Sequence, residues 1–432
     1  MTTGLSDRTL RLLSRRLLPF LFILYTFNFL DRTNVGFAAL QMNADLGFSP
    51  AIFGRGAGIF FLAYALCEVP SNLVIARLGA RRWIALIMIV WGLVASAMCL
   101  VRSPLEFYGM RLLLGVAEAG FFPGIIYYLG TWVPASYRAR AFAIFSMAIP
   151  VSQVIGGPLG AALLKLDGVG RLSGWQWLFL VEGFPSVLLG FLVLRWLSDR
   201  PSEAAWLPAE QRAWLARTLE SEQGPPSGAH ASPLAALGKP IVWVLSIPWF
   251  ASYAIGLGYS FWAPLLIRDA LGTDNTSTAM ITGALALIVA ALYPVVGRIS
   301  DRTSERCLVT AAGLALACIG CVGMALFSHS VLRVVALFFM ALNFPLCISA
   351  FWCLPTQILK GASAAAAIAL INAIGACGGY FGPTIIGSLK EATGSDAGAF
   401  IGLGLIAALG ALVCLGLRRL PAFKPARVAA AL

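Results

Sequence analysis

Charged residues are scarce in this chain. Asp, Glu, Lys and Arg together make up 12% of its 432 residues, whereas hydrophobic residues make up 59%. A soluble globular domain carries about 25% charged residues, so this composition excludes a soluble enzyme or a soluble binding module. Apolar windows of about 20 residues recur instead, and each is long enough to cross a bilayer as a helix. The sequence therefore predicts an all-α membrane protein rather than a β-barrel, whose strands would alternate over about ten residues.

Groups that bind metals or perform covalent chemistry are also few. The only two histidines, His230 and His329, lie far apart, and no nucleotide-binding loop or nucleophile–base spacing is present. Cys318 and Cys321 have a C-x-x-C spacing, but they lie in an apolar window without a second such pair. That context favours packing over metal binding. We predict no enzymatic activity, no metal site and no cofactor.

The apolar windows form two sets of six around a hydrophilic interval. This interval, residues 198–239, separates a predicted six-helix bundle in residues 1–197 from a second one in residues 240–432. Parallel six-helix repeats around a central site are typical of transporters. The twelve predicted spans are 17–40, 51–76, 83–101, 104–131, 141–165, 175–197, 240–267, 277–299, 307–329, 332–357, 364–389 and 397–417.

The basic residues set the predicted orientation. Most of the 31 Lys and Arg residues lie in the two terminal segments and in the loops on the same side of the predicted spans. By the positive-inside rule, both termini are cytoplasmic. Topology thus explains the net charge of +12. We predict no nucleic-acid partner, because no patch interleaves basic with aromatic residues.

The hydrophilic interval itself has two parts. Residues 201–223 predict a short amphipathic helix with Trp206, Leu207, Trp214, Leu215 and Leu219 on one side, and residues 224–233 predict a flexible tether. We interpret the helix as a linker that lies on the surface, in preference to a partner-binding site.

Four ionisable residues lie at membrane depth and form the main candidate site: Asp31, Arg32, Arg111 and Glu118. Each intramembrane charge costs about 2.5–3.5 kcal/mol on insertion scales, so such residues face a bundle interior or a wet cavity. Arg111 and Glu118 are seven residues apart, which places them on one helix face about 10.5 Å apart. Neighbours on a helix point about 100° apart, so Asp31 and Arg32 cannot pair with each other. We expect both to pair across helices with Arg111 or Glu118.

This constellation suggests a coupling rule. The four charges sum to zero, and protonation of both carboxylates leaves two guanidinium groups free for a substrate carboxylate. Arginine suits that task because its planar fork binds carboxylates bidentately and keeps its charge. We therefore predict that Asp31 and Glu118 couple protons and that Arg32 and Arg111 bind substrate. The alternative is a buried salt-bridge cluster that only orients helices.

Other polar and aromatic residues are weaker candidates, since packing, interhelical hydrogen bonding or a position at the membrane interface explains them as well. Arg55 near the outer mouth either reaches the headgroups or attracts anions, and Glu182 is expected to reach the outer interface. Candidates for substrate binding are Tyr64, Gln153, Tyr259, Trp352 and Asn372. Candidates for gating are Glu68, Arg77, Arg81, Asp301 and Arg302, most of them at two corresponding turns of the two halves.

Motifs along the whole chain resemble those of one transporter family. They are Leu30–Gly36, Phe60–Tyr64 with Glu68–Asn72, Arg111–Gly124, Asp199–Pro201 with Trp206-Leu207, Phe261–Pro264, Phe351–Thr356, Ala369–Asn372 and Gly382-Pro383. In this order they resemble the major facilitator superfamily and, within it, the anion:cation symporter family. Two positions depart from the family pattern: Ala76 replaces a loop aspartate, which weakens the case for a charged gate there, and Ala376 replaces an asparagine.

The resemblance implies a fold, a function and roles for the central residues. In the family, the Asp-Arg of span 1 and the Arg and Glu of span 4 serve substrate binding and proton coupling, which agrees with the residue-based prediction. It implies a monomer in the plasma membrane, as in a bacterial inner membrane, that takes up a small organic anion with protons by alternating access. Two alternatives stay open: a proton-driven efflux antiporter of the same fold, and a membrane-embedded sensor or receptor.

Overall fold

The computed structural model describes residues 2–222, 238–358 and 362–423, and over these residues the regular structure is helical. The first half contains α1 Thr2–Asp45, α2 Pro50–Leu78, α3 Ala80–Ala97, α4 Pro104–Glu118, α5 Phe121–Trp132, α6 Ala135–Ser146, α7 Ala148–Leu164 and α8 Gly174–Trp196, followed by the linker helix α9 Ala209–Glu222. The second half contains α10 Pro240–Leu271, α11 Asn275–Thr303, α12 Arg306–Leu326, α13 Ser330–Ala341, α14 Asn343–Ala350, α15 Cys353–Ile358, α16 Ala362–Thr393 and α17 Ala397–Leu417.

Eleven helical stretches in the described part of the chain are long and apolar enough to cross a membrane. They correspond to predicted spans 2 to 12, so the prediction of an all-helical membrane fold is confirmed. The first predicted span lies on α1, which has 44 residues but is not among the eleven. Its middle carries Asn28, Asp31, Arg32 and Asn34, and all four are buried. These polar side chains lower the hydropathy of α1 and face neighbouring helices.

Three predicted spans consist of more than one helix, and the break in the fourth span lies at the candidate site. Helix α4 ends at Glu118, and α5 begins at Phe121 after Gly120, whose φ is 95°. A side chain at Gly120 would also collide with the Ser71 side chain of α2, because a Cβ atom there would lie 1.7 Å from Ser71 Oγ. Glycine is therefore required on two counts. The break makes Glu118 the last residue of α4.

The linker helix begins later than the sequence predicted. Helix α9 starts at Ala209, directly after Pro208, and not at residue 201. Proline lacks an N–H donor and suits the start of a helix rather than its interior. The predicted apolar side is confirmed for Leu207, Leu215 and Leu219, which are buried. The predicted tether at 224–233 lies outside the described residues.

Aromatic stacking holds the linker against the first half. Trp206 stacks on Trp132 of α5 with 5.7 Å between ring centroids and 12° between planes. The Arg16 guanidinium of α1 lies 4.9 Å from the Trp206 ring and 5.0 Å from that of Trp196. Such cation–π contacts are attractive. The linker is thus packed against the protein rather than extended from it.

The two halves meet along α2 and α16, at the end of the bundle where α2 begins. A Cβ atom at Gly387 of α16 would lie 2.2 Å from the Pro50 carbonyl oxygen, so glycine permits the close approach. The Glu391 carboxylate at the end of α16 accepts hydrogen bonds from the Ser49 hydroxyl and, at 2.9 Å, from the Ala51 N–H. A carboxylate is favourable at the positive N-terminal end of a helix. Glu391 therefore ties the second half to the start of α2.

This contact predicts that Glu391→Gln opens the same end of the bundle, because an amide oxygen accepts the two hydrogen bonds more weakly than a carboxylate does. Spin labels at Ala44 of α1 and Ala392 of α16 would report the separation of the halves. We expect a larger fraction of long distances in the variant. Glu106→Gln is the matched control, because Glu106 is exposed and accepts its hydrogen bond from the Arg102 N–H within the first half. Identical distance distributions for wild type and Glu391→Gln would contradict the prediction.

Candidate functional site

Arg32 and Glu118 form a buried ion pair between α1 and α4. Arg32 Nη2 and Nε lie 2.5 Å and 3.1 Å from Glu118 Oε2. Arg32 is 8% exposed and Glu118 is fully buried. The other carboxylate oxygen, Glu118 Oε1, is buried without a hydrogen-bond partner. The expected cross-helix pairing is thus present for these two residues, and one acceptor of the pair is unsatisfied.

Arg111 occupies a different environment from the one we expected. Its Nε donates to the Gly56 carbonyl at 3.2 Å, and its Nη2 donates to the Ala57 carbonyl at 3.0 Å. Both acceptors belong to α2, and the Arg111 side chain has no exposed surface. Charge-assisted hydrogen bonds to backbone oxygens satisfy a buried guanidinium without a carboxylate. In this conformation Arg111 joins α4 to α2.

The ring of Phe60 lies beside both guanidinium groups. Its centroid is 5.4 Å from Arg32 Cζ and 5.0 Å from Arg111 Cζ. Arg32 also lies 5.1 Å from the Tyr64 ring, and Arg111 lies 5.8 Å from Phe261 of the second half. Aromatic faces attract cations most strongly where water is excluded. This role of Phe60 was not predicted from the sequence, although Phe60 begins the Phe60–Tyr64 motif.

Asp31 does not join this cluster, which corrects the expected pairing with an arginine. Its Oδ2 accepts hydrogen bonds from Trp91 Nε1 of α3 at 2.7 Å and from Ser186 Oγ of α8 at 2.9 Å. The angle of about 100° between successive helical residues turns Asp31 away when Arg32 faces Glu118. Sequence reasoning missed Trp91 and Ser186. Both residues carry a hydrogen-bond donor within an apolar span, the indole N–H of Trp91 and the hydroxyl of Ser186. Such a donor needs an acceptor inside the bundle, and this was the available signal.

Glu182 is also misplaced by the sequence analysis. It does not reach the outer interface but is 2% exposed on α8. It lies close enough to Asp31 and Asn34 of α1 to interact with both. Ser186 and Glu182 are one turn apart on α8, so both face the same side of α1. The apolar residues around Glu182 in the sequence gave no indication that a carboxyl group of α1 lies opposite it.

Tyr64, Glu68 and Asn372 lie near the junction of the two halves. Asn372 Nδ2 of α16 donates to Glu68 Oε1 at 3.0 Å and to Oε2 at 3.3 Å. Tyr64 is buried one turn before Glu68 on α2, with its ring beside Arg32. Glu68 and Asn372 therefore link α2 to α16. Their assigned roles in gating and in substrate binding stay predictions.

The other substrate-binding candidates lie on different elements. Tyr259 is buried on α10 with its ring centroid 6.3 Å from that of Phe344. Trp352 lies between α14 and α15, and its ring centroid is 4.8 Å from that of Trp249. Gln153 is half-buried on α7. These ring contacts are those of aromatic packing, and a role in binding stays a prediction for all three residues.

The predicted gating turns are described in part. The Arg81 backbone N–H donates to Asp199 Oδ1 at 2.9 Å, so a carboxylate from the linker caps the start of α3. This carboxylate lies at the turn where Ala76 departs from the family pattern. Arg302 is exposed in the last turn of α11. Arg77 lies on α2 and Asp301 on α11, and the side chains of both are outside the described part of the structure.

Comparison with known proteins gives consistent matches over nearly the whole chain. A family model described as Major Facilitator Superfamily matches residues 21–383. A protein of Agrobacterium vitis named "Putative tartrate transporter" is 43% identical over 427 residues, which cover 97% of this chain and 96% of that protein. A "Quinolone resistance transporter" of Acinetobacter baumannii is 38% identical over 411 residues, 94% of this chain and 93% of that protein.

Solved structures share the fold. A bacterial homologue of the human lysosomal transporter Spinster, in an inward-facing and occupied conformation, has a TM-score of 0.74 and 19% identity, covering 93% of this chain and 96% of that one. The likeness shows the helical architecture alone at this identity. The family match and the relatives of 43% and 38% identity confirm the predicted superfamily and identify a membrane transporter rather than an enzyme. The chain belongs to the Major Facilitator Superfamily.

Proposed function

We propose that this transporter takes up a small organic anion together with protons by alternating access. The observation that carries the proposal is the buried Arg32–Glu118 pair, in which one carboxylate oxygen has no partner. A buried ion pair is a poor way to stabilise a fold, because desolvation offsets most of its attraction. A reversible exchange of partners gives such a pair a function.

Protonation of Glu118 is the proposed switch. A proton from water forms an O–H bond on Glu118, and the carboxylate loses the charge that holds Arg32. The Arg32 guanidinium then binds a substrate carboxylate in place of Glu118, and Phe60 and Tyr64 flank it. Release of the substrate restores the ion pair and returns the proton to water. Protonation of Glu118 alone would leave Arg32 without an anionic partner, and substrate binding alone would leave the Glu118 carboxylate without a cation. Proton and substrate therefore bind together, because a buried unpaired charge is unfavourable.

Arg111 has a supporting role in this proposal. Its hydrogen bonds to two α2 carbonyls keep it in place, and it adds a fixed positive charge beside Phe60. That charge favours an anion in the same low-dielectric space. The predicted direct contact between Arg111 and substrate requires a conformation that frees its donors. The name of the Agrobacterium vitis relative supports a carboxylate as substrate.

We also propose twelve spans with both termini in the cytoplasm. Helix α1 supplies the twelfth, since 44 residues at 1.5 Å each extend about 66 Å, about twice the hydrocarbon thickness. Its buried polar residues face protein rather than lipid, which makes them tolerable in a span. The N-terminal segment contains Arg8, Arg11, Arg15 and Arg16, which supports its cytoplasmic placement. For a bacterial protein, we propose the inner membrane as its location.

Efflux is the second candidate function. The "Quinolone resistance transporter" of Acinetobacter baumannii, at 38% identity, favours it. An antiporter uses the same carboxylate but releases substrate as the proton enters. The two functions therefore differ in the direction of flux under one imposed pH gradient.

Under a pH gradient that is acidic outside, right-side-out proteoliposomes are expected to accumulate a labelled dicarboxylate such as tartrate. Reversal of the gradient should release it, because protons and substrate move in the same direction. Accumulation of a fluoroquinolone in inside-out vesicles driven by the opposite gradient, without any dicarboxylate flux, would show efflux instead.

Glu118→Gln should abolish proton-driven accumulation and retain exchange of internal for external substrate. The amide cannot exchange a proton at this position and leaves Arg32 available to the substrate. Counterflow in proteoliposomes measures exchange, and uptake under a pH gradient measures coupling. Full accumulation by the variant would exclude Glu118 as the coupling group.

Arg32→Ala is expected to weaken substrate binding by about 10- to 100-fold, since charge-assisted hydrogen bonds contribute about 1.5–3 kcal/mol. Isothermal titration of purified protein measures the change. Arg195→Ala is the matched control, because Arg195 is exposed near the end of α8 and should not affect affinity. Unchanged affinity in Arg32→Ala would remove Arg32 from the binding site.

A further inference from the structure

Two buried carboxyl groups lie on the side of α1 that faces away from the Arg32–Glu118 pair. Asp31 of α1 is 1% exposed and Glu182 of α8 is 2% exposed. Trp91 of α3 and Ser186 of α8 both donate to Asp31 Oδ2. Asn34 of α1, 2% exposed, lies beside Glu182. We call these residues the α1–α8 carboxyl pair and its neighbours.

The pair has no positive partner among the described residues. The groups that act on Asp31 are Trp91, Ser186 and the more distant Glu118. Those that act on Glu182 are Asp31 and Asn34. Arg32, although adjacent to Asp31 in the chain, faces Glu118. Two ionised carboxylates that interact while buried, with no cationic side chain beside them among the described residues, are strongly unfavourable.

Several polar atoms of the pair have no hydrogen-bond partner. They are Asp31 Oδ1, Glu182 Oε2 and both side-chain atoms of Asn34, all buried. Buried polar atoms without partners are rare and call for an explanation. Three of these atoms are oxygen acceptors on facing turns of α1 and α8, since Ser186, one turn from Glu182, contacts Asp31. They indicate an occupant that supplies positive charge or a donor. Hard metal cations such as Ca²⁺ take six to eight oxygen ligands, so three free oxygens suit a proton better.

We infer that Asp31 and Glu182 share one proton and form a second proton-binding site, separated from the substrate site by α1. The proton comes from water and forms an O–H bond with Glu182, while Asp31 stays ionised. The assignment to Glu182 follows from the hydrogen bonds, because Trp91 and Ser186 both donate to Asp31 and stabilise its ionised form, whereas among the described residues Asn34 alone acts on Glu182 in this way. The charge of the pair is then −1 instead of −2.

The consequence for transport rests on the proposed proton coupling. Asp31 is adjacent to Arg32 and interacts with the charge of Glu118 across α1. A carboxyl group kept neutral at Glu182 therefore limits the negative charge near the Arg32–Glu118 pair. Glu182 therefore acts on the substrate site through its charge alone and does not contact substrate.

Infrared difference spectroscopy of purified, substrate-free protein tests the shared proton without any transport assay. A protonated carboxyl group gives a C=O stretching band that a carboxylate lacks. We expect the band at neutral pH in wild type, its loss in Glu182→Gln and its shift in Asn34→Ala. Glu182→Asp should keep a shifted band, which guards against misfolding of the first variant. Glu220→Gln is the matched control, because Glu220 is exposed on the linker helix.

Three outcomes overturn the inference, each in a distinct way. A band that persists unchanged in Glu182→Gln means that Glu182 carries no proton. A band lost in Glu118→Gln instead assigns the proton to the substrate site. Loss of the wild-type band on addition of sodium chloride, but not of choline chloride, identifies sodium as the occupant. Failure of proton-coupled uptake with the band intact would reject the proposed function and retain the protonated pair.

Discussion

The pairing of buried charge is the constraint on which the rest of this structure depends. An apolar bundle tolerates a guanidinium group only when an acceptor neutralises or solvates it. Arg32 meets this requirement with Glu118, and Arg111 meets it with two backbone carbonyls of α2. The two solutions have different consequences. Protonation removes the negative charge of a carboxylate partner and so weakens the pair. Backbone carbonyl partners do not change with protonation and stay in place as long as α2 and α4 stay together.

The geometry of α1 separates two kinds of site. Because successive residues point about 100° apart, Arg32 and Asp31 serve different neighbours although they are adjacent. Arg32 faces α2 and α4, and Phe261 of the second half lies beside Arg111 in the same cluster. Asp31 accepts its hydrogen bonds from α3 and α8 of the first half. The side near the interface is suited to substrate that both halves contact in turn, and the inner side is suited to a group held within one rigid bundle.

The sequence predicted the architecture well because hydropathy and length dominate a membrane fold. Spans 2 to 12, the apolar side of the linker and the Arg32–Glu118 pair follow from helical periodicity and from the cost of buried charge. The failures have a common cause. The partners of Asp31 and Glu182 are set by which helix packs against each face of α1 and α8, and the partners of Arg111 are set by how closely α2 approaches α4. Neither can be predicted from the pattern of a single helix. The start of α9 was predicted too early for a local reason. Pro208 indicates a helix that begins after it, and this signal was overlooked.

The contact between Glu391 and the start of α2 links this site to a conformational cycle. It closes one end of the bundle, while Glu68 and Asn372 connect the same two helices nearer the site. In the proposed alternating access, contacts at one end break as those at the other form. Helix α2 lines the site with Phe60 and Tyr64 and also forms, with α16, the junction that opens in this proposal.

Proton uptake on substrate binding tests the central claim most directly. Calorimetry of wild type with a bound dicarboxylate, repeated in buffers of different ionisation enthalpy, measures the protons taken up per substrate molecule. The account predicts net proton uptake at neutral pH in wild type and less uptake in Glu118→Gln. A binding enthalpy independent of the buffer in wild type would contradict an exchange of Glu118 for substrate at Arg32.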